Sequence, residues 1–147
     1  GVSRLIKYIF ASHGTLAKGI LSSVELILGR QANVETLCAY INEDFNLSLE
    51  VNRLLDSYSV EDEVIVLTDI FGGSVNNEFI QQIGAGKKNI HLISGVNLPL
   101  VIDLIVTLDE NKEEDLAIQI DSIIKNSITN IKYCNSIIDT VTNDENF

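Results

Sequence analysis

The sequence predicts an α/β protein with an open, mostly parallel, doubly wound sheet of strand order 2-1-3-4. Short β-branched runs alternate with segments of helical periodicity, and the connections between them are short. Residues 63–68 form a nearly continuous apolar run, which is typical of a central parallel strand covered on both faces. A chain of 147 residues with 46% hydrophobic content is long enough for one domain with a substantial core.

The first half of the chain contains two strand and helix pairs. Residues 5–11 are β-branched and aromatic, and they predict the first strand. Apolar residues then recur at helical spacing over 15–28, and Gly29 is placed to cap that helix. Residues 34–40 predict the second strand, and 47–55 predict an amphipathic helix.

The second half continues the alternation. It contains, in order, strand 63–68, helix 74–83, strand 89–93, helix 99–108 and helix 116–124. Ser74 is a good N-cap for the first of these helices. Pro99 is well placed in the first turn of the second helix.

The C-terminal stretch predicts assembly. Residues 128–138 have strand-like composition, and we expect a final antiparallel strand there. A parallel sheet that ends at the fourth strand leaves an open edge, so we expect a homodimer. The predicted domain covers 1–138, and 139–147 form a polar C-terminal tail.

Composition excludes several classes of protein. The formal charge is −11, with 21 acidic and 10 basic residues and no basic cluster, which argues against nucleic acid binding. No apolar run approaches the roughly 20 residues that span a bilayer, and the N-terminus lacks a signal-peptide pattern. Cys38 and Cys134 lie in apolar contexts without CxxC spacing, so we expect buried thiols, no metal site and a cytoplasmic location.

Reactive side chains follow three of the predicted strands. Ligands of such sheets bind beyond the carboxyl ends of the strands, which selects His13, 69–74 and 95–99. A neutral imidazole attacks phosphorus through one ring nitrogen while the other donates a hydrogen bond, and Asp69 is the carboxylate that can accept it. We therefore predict that His13 is a phosphoryl acceptor. His91 lies within a strand and is interpreted as structural.

A glycine turn precedes the third helix. Gly72 and Gly73 let the backbone approach a ligand closely, and Ser74 begins a helix whose N–H groups favour a phosphoryl oxygen. This predicts an anion cradle. The chain has no GxxxxGK[ST] or GxGxxG phosphate loop, so nucleotide binding lacks its usual motif.

Three motifs together carry a family resemblance. They are FASHG at 10–14, TDIFGGSVNN at 68–77 and SGVNLP at 94–99. In this order and spacing they resemble the IIA component of the mannose/fructose/sorbose family of the bacterial sugar phosphotransferase system. The similarity covers roughly residues 5–124. Val75 departs from the family, which usually places proline after GGS.

The resemblance implies a phosphorelay. The carrier protein HPr donates a phosphoryl group to His13, and His13 passes it to the IIB component, while the IIC and IID membrane components couple it to sugar uptake. Asp69 orients His13, and Gly72, Gly73 and Ser74 hold the phosphoryl oxygens. No metal or cofactor is implied. In this family a C-terminal strand is exchanged between the two copies of a dimer.

Three other functions share parts of this pattern. A phosphocarrier subunit of a dihydroxyacetone kinase has a similar fold and an N-terminal phosphohistidine, but it normally lacks GGS after the third strand. A regulatory phosphoacceptor domain of a larger transcriptional regulator is the second alternative. A flavodoxin-like cofactor binder is disfavoured, because the loop after the first strand has no Ser/Thr run for a flavin phosphate.

Overall fold

The computed structural model describes residues 6–110 and 114–138. Its four strands form an all-parallel sheet in the order β2-β1-β3-β4, which confirms the predicted fold class. The elements are β1 Ile6–His13, α1 Leu16–Leu28, β2 Val34–Ala39, α2 Leu47–Asp56, β3 Glu63–Thr68, α3 Ser74–Gly84, β4 Ile90–Ser94, α4 Leu98–Glu110 and α5 Leu116–Ser127.

Helices cover the sheet on both faces because successive strand residues point to opposite sides. Tyr8 and Phe10 of β1 belong to an apolar cluster that includes residues of α1, α4 and α5. Ile9 and Ala11 belong to a second cluster, with residues of α2 and α3. All four β1 side chains are buried, as expected for a central parallel strand.

The strand register brings three loops to one rim of the sheet. Ala11 of β1 lies beside Thr68 of β3, so the residues that follow these two strands leave the sheet together. His13 lies beside Ala39 at the end of β2, which brings the loop after β2 to the same rim. The carboxyl end of the sheet therefore carries the predicted site residues.

The predicted C-terminal strand is wrong for the single chain. Residues 128–130 form one turn of 3₁₀-helix directly after α5, and 134–138 are helical. A β-branched segment becomes a strand only where a sheet edge pairs with it, and local helical hydrogen bonds prevail here. Residues 128–138 are exposed throughout, including Cys134, so the expectation of a buried thiol at that position is also wrong.

Two further predictions concern the chain as a whole. The polar tail 139–147 lies outside the described residues, so the domain boundary at 138/139 stays a prediction. Across 6–110 and 114–138, every helix falls short of the length and apolar character that a membrane crossing requires.

Candidate active site

His13 is the last residue of β1, and the backbone around it is tightly fixed. Its side chain is 46% exposed. The buried Ser12 hydroxyl accepts a hydrogen bond from the Ala17 N–H at 2.8 Å, which ties the start of α1 to the end of β1. Gly14 has a φ of 61° and donates its N–H to the Ala39 carbonyl at 2.9 Å. The imidazole is therefore accessible on a rigid support.

Asp69 holds His13 through two contacts to one oxygen. Its Oδ2 accepts the backbone N–H of His13 at 2.8 Å and lies 2.8 Å from Nδ1 of the imidazole. Its Oδ1 accepts the Ile70 N–H at 3.0 Å. Burial raises the pKa of the Asp69 carboxyl, but the hydrogen bonds from His13 outweigh burial and hold the pKa below its usual value. Asp69 is therefore an ionised acceptor at neutral pH.

The glycine turn lies against the imidazole. Gly72 has a φ of 79°, a conformation that favours glycine, and its carbonyl accepts a hydrogen bond from the Asn77 side chain at 3.1 Å. A Cβ at Gly73 would lie 2.7 Å from Cγ2 of Ile70 and 3.3 Å from Cε1 of His13. The absence of a side chain at Gly73 therefore permits the close approach of the turn to His13.

Ser74 occupies a different position from the one predicted. Gly73 is the N-cap of α3, and Ser74 is the first helical residue. Its hydroxyl is directed to the rim instead, where Oγ lies 3.3 Å from Nε2 of His13. The sequence could not distinguish the two positions, because glycine and serine both occur as N-caps. His13, Asp69, Gly73 and Ser74 nevertheless come together as predicted.

A buried hydrogen bond anchors the start of α3 to the end of β3. The Thr68 hydroxyl donates to Oδ1 of Asn76 at 2.7 Å, and both side chains are buried. Val75 is fully buried in the apolar cluster beneath α3. The residue that departs from the usual family proline thus contributes core packing at the point where the helix meets the site.

Sequence reasoning missed Tyr40 at this site. Its hydroxyl lies 2.8 Å from Oγ of Ser74, and its ring centroid lies 5.6 Å from that of His13. Tyr40 also has a φ of 66°, which is rare for a residue with a large side chain and costs on the order of 1–3 kcal/mol. The sequence shows it only as the last residue of a predicted strand, and nothing in that pattern signals a left-handed residue.

The other predicted residues have supporting roles. The loop after β4 packs against β3, since Val96 donates its N–H to the Thr68 carbonyl at 2.9 Å. Asn97 caps α4 by accepting the Leu100 N–H. His91 lies on β4 with Nε2 3.0 Å from a Glu63 carboxylate oxygen, which agrees with a structural role. Within the described residues, no group of three or more His, Cys, Asp or Glu side chains is arranged to hold a metal ion.

A cavity elsewhere in the fold is separate from this chemistry. It has a volume of about 460 Å³ and is lined by residues that include Lys7, Tyr8 and Asp109. Lys7 and Tyr8 lie near the amino end of β1, at the rim opposite His13. The rim around His13 is open to solvent, which suits contact with a macromolecule better than enclosure of a small ligand.

Comparison with known proteins places this chain among the components of the sugar phosphotransferase system. Residues 7–121 match the family model EIIA-man, described as PTS system fructose IIA component. The chain belongs to this family, and the resemblance drawn from the three sequence motifs is confirmed.

Individual relatives agree with this assignment. The mannose-specific EIIAB component of Escherichia coli K12 is 28% identical over 111 residues, which cover 75% of this chain and 34% of that protein. The chain thus spans about a third of the length of that relative. The fructose-specific EIIA component of Bacillus subtilis strain 168 is 26% identical over 113 residues, which cover 76% of this chain and 77% of that protein.

Solved structures share the fold over nearly the whole chain. A Klebsiella pneumoniae protein, proposed to be a phosphoenolpyruvate-dependent sugar phosphotransferase system permease, is 44% identical with a TM-score of 0.85, covering 94% of this chain and 97% of that one. The mannose/sorbose-specific IIA subunit from Enterococcus faecalis is 25% identical with a TM-score of 0.67, covering 87% and 96%.

Proposed function

We propose that this IIA component is a phosphocarrier that accepts a phosphoryl group from phospho-HPr on Nε2 of His13 and passes it to a IIB component. In the accepting step the lone pair of Nε2 forms a bond to phosphorus. The bond between phosphorus and the donor histidine nitrogen breaks, and its electron pair remains on the donor ring. The second transfer repeats this exchange with His13 as the donor.

The contact between His13 and Asp69 carries the proposal. Nδ1 lies 2.8 Å from an ionised carboxylate oxygen, so Nδ1 bears the ring proton and Nε2 retains its lone pair. Phosphorylation of Nε2 makes the ring cationic, and Asp69 then stabilises that charge. The His13 side chain is 46% exposed, so a phosphoryl donor can reach the ring.

The start of α3 supplies the stabilisation that the transferred group needs. The first N–H groups of a helix have no acceptor within the helix, so those of 74–76 favour an anion at this end. Ser74 adds a hydroxyl 3.3 Å from Nε2. Phosphoryl transfer depends mainly on positioning and charge stabilisation, and these residues supply both.

Apolar side chains on the rim loops favour a protein partner. Five large hydrophobic residues of the loops and helix start near His13 are about half exposed or more: Leu16, Tyr40, Ile41, Ile70 and Phe71. Phe71 is 82% exposed. Exposed apolar groups around a reactive residue are typical of a docking surface, and this arrangement supports HPr and IIB as successive partners. Transfer between these proteins implies a cytoplasmic location.

The C-terminal segment supports a homodimer. Its large apolar side chains are exposed in the single chain: Ile128, Ile131, Tyr133, Ile137 and Ile138. A cavity of about 270 Å³ lies beside β4 and is lined in part by Ile128 and Ser127. A second copy that covers this edge would bury these exposed apolar side chains.

Labelling from phosphoenolpyruvate tests the proposed transfer. We expect the chain to gain acid-labile, base-stable phosphate when incubated with phosphoenolpyruvate, enzyme I and HPr. His13→Ala should abolish labelling and remain folded, because an exposed rim side chain contributes little packing. His91→Ala is the matched control and should still label. Full labelling of the His13 variant would refute the proposal.

A further inference from the structure

Tyr40 continues the line of polar contacts that begins at His13. Oγ of Ser74 lies between the two side chains, 3.3 Å from Nε2 of His13 and 2.8 Å from Oη of Tyr40. The three groups come from the ends of β1 and β2 and from the start of α3. A residue outside the predicted site thus contacts the hydroxyl that is closest to the reacting nitrogen.

The Tyr40 side chain is fixed on two sides. Its ring contacts the imidazole at a centroid distance of 5.6 Å with a tilt of 41°. It meets the ring of Phe45 edge-on, also at 5.6 Å. Its left-handed backbone directly follows β2, where the Ala39 carbonyl accepts the Gly14 N–H. The hydroxyl is therefore held at Ser74 by packing and backbone conformation together.

The number of protons and lone pairs on each group determines which group donates and which accepts in each of these hydrogen bonds. Nδ1–H of His13 donates a hydrogen bond to Asp69, so Nε2 can only accept, and Ser74 must be the donor to it. The serine hydroxyl has a single proton, so the contact with Tyr40 requires the tyrosine to donate to Oγ. The hydrogen bond that Tyr40 donates polarises the Ser74 hydroxyl, and this strengthens the hydrogen bond that Ser74 donates to Nε2.

We propose that Tyr40 is a positioning residue that keeps the Ser74 hydroxyl proton directed at the hydrogen-bond acceptor beside it, which is either Nε2 of His13 or the phosphoryl group bound to Nε2. Before transfer that acceptor is the lone pair of His13. After transfer the lone pair is used in the bond to phosphorus, and a phosphoryl oxygen becomes the acceptor. This inference rests on the proposed phosphocarrier function and deepens it, since Tyr40 acts through Ser74 without contacting phosphorus.

A double-mutant cycle tests the dependence on Ser74. Tyr40→Phe keeps both ring contacts and removes only the hydroxyl. We expect it to slow transfer from phospho-HPr about two- to tenfold at saturating donor, with the KM for phospho-HPr unchanged. In a Ser74→Ala background the same change should have no further effect. Tyr58→Phe is the matched control, because the Tyr58 hydroxyl is buried without a partner and should be dispensable.

Three kinetic outcomes would overturn the inference. An unchanged rate in Tyr40→Phe would show that the hydroxyl is not used. An equal loss in the wild-type and Ser74→Ala backgrounds would show that Tyr40 acts by another route. A rise in KM alone would assign Tyr40 to partner docking, which also contradicts a positioning role.

A measurement without any donor separates this inference from the proposed function. The ¹⁵N chemical shift of Nε2 of His13 in the unphosphorylated protein reports the hydrogen bond from Ser74. We expect the shift in Tyr40→Phe to move toward that of Ser74→Ala. If the wild-type protein fails to accept phosphate, the phosphocarrier proposal fails, and this shift still decides the role of Tyr40. An Nε2 shift in Tyr40→Phe identical to that of the wild-type protein would refute the proposed role of Tyr40.

Discussion

Asp69 has no good substitute at its position because both of its oxygens accept N–H groups. Oδ2 accepts the His13 backbone N–H and contacts Nδ1, while Oδ1 accepts the Ile70 N–H. An asparagine must turn its NH₂ group toward one of these donors. Asp69→Asn should therefore fold with a stability loss of about 1 kcal/mol. It should transfer phosphate about 10²- to 10⁴-fold more slowly, because the charge on the phosphorylated ring is no longer balanced.

Rapid-quench kinetics with phospho-HPr measure the rate of this variant, and chemical denaturation measures its stability. The pH dependence supplies an internal check. The folded-state pKa of Asp69 is depressed below the usual value of 3.8, so its ionised form stabilises the fold above that pH. This stabilisation is lost as the pH falls through the folded-state pKa. The stability difference between wild type and Asp69→Asn should therefore shrink in strong acid. Transfer at the wild-type rate by Asp69→Asn would show that Asp69 only caps the loop.

At the scale of the element, the turn between β3 and α3 determines how closely the backbone approaches the imidazole. A Cβ at Gly73 meets both Ile70 and His13 at less than ordinary contact distance. The Ile70 side chain is exposed and can move aside, but Cε1 of His13 and the Ile70 carbonyl, both 3.3 Å from the added Cβ, must also shift. Gly73→Ala should fold with a cost of about 1–3 kcal/mol and slow transfer about 10- to 100-fold.

Gly19→Ala is the matched control for this substitution. A Cβ at Gly19 meets no atom within 4 Å, and the residue lies within α1. The control should keep its transfer rate and gain about 0.5–1 kcal/mol of stability from helix propensity. Stopped-flow transfer and thermal unfolding of the two variants provide the comparison. Equal transfer rates would mean that the turn does not need to approach His13.

Most elements were predictable because local chemistry and tertiary environment agree. The continuous apolar run of β3 was predicted with its observed bounds, and Gly29 and Pro99 mark helix ends where expected. Tyr40 could not be predicted in the same way. Its left-handed backbone and its contact with Ser74 depend on tertiary packing, and no local residue pattern signals them. The position of Ser74 within the first turn was ambiguous because glycine and serine both occur as N-caps.

At the scale of the whole molecule, the proposed dimer depends on the segment 128–138. Ile131 is 82% exposed in the single chain, and burial in an interface would remove it from water. Ile131→Lys should therefore give a monomer in sedimentation equilibrium at micromolar concentration, while the wild-type chain sediments as a dimer. Val60→Lys is the control, since Val60 is equally exposed and lies in the loop before β3. A monomeric wild-type chain would contradict the proposal.

The same segment shows what sequence patterns could not provide at this scale. The strand order was predicted correctly, and the loops after β1 and β3 leave the sheet at one rim as expected. The secondary structure of segment 128–138 was predicted incorrectly for the single chain, because isoleucines separated by polar residues fit either a strand or short helical turns. Which one forms depends on whether a sheet edge is available to the segment, and the sequence of one chain does not specify its neighbours.

The identity of the phosphorylated atom tests the central claim most directly. The ¹⁵N-histidine-labelled protein, phosphorylated through enzyme I and HPr, can be examined by long-range ¹H–¹⁵N correlation spectroscopy. Since Nδ1 of His13 contacts Asp69 and Nε2 faces Ser74, we predict a phosphoryl group on Nε2 of His13 and an unmodified His91. Phosphate on Nδ1 of His13, phosphate on His91, or no histidine phosphate at all would contradict the account.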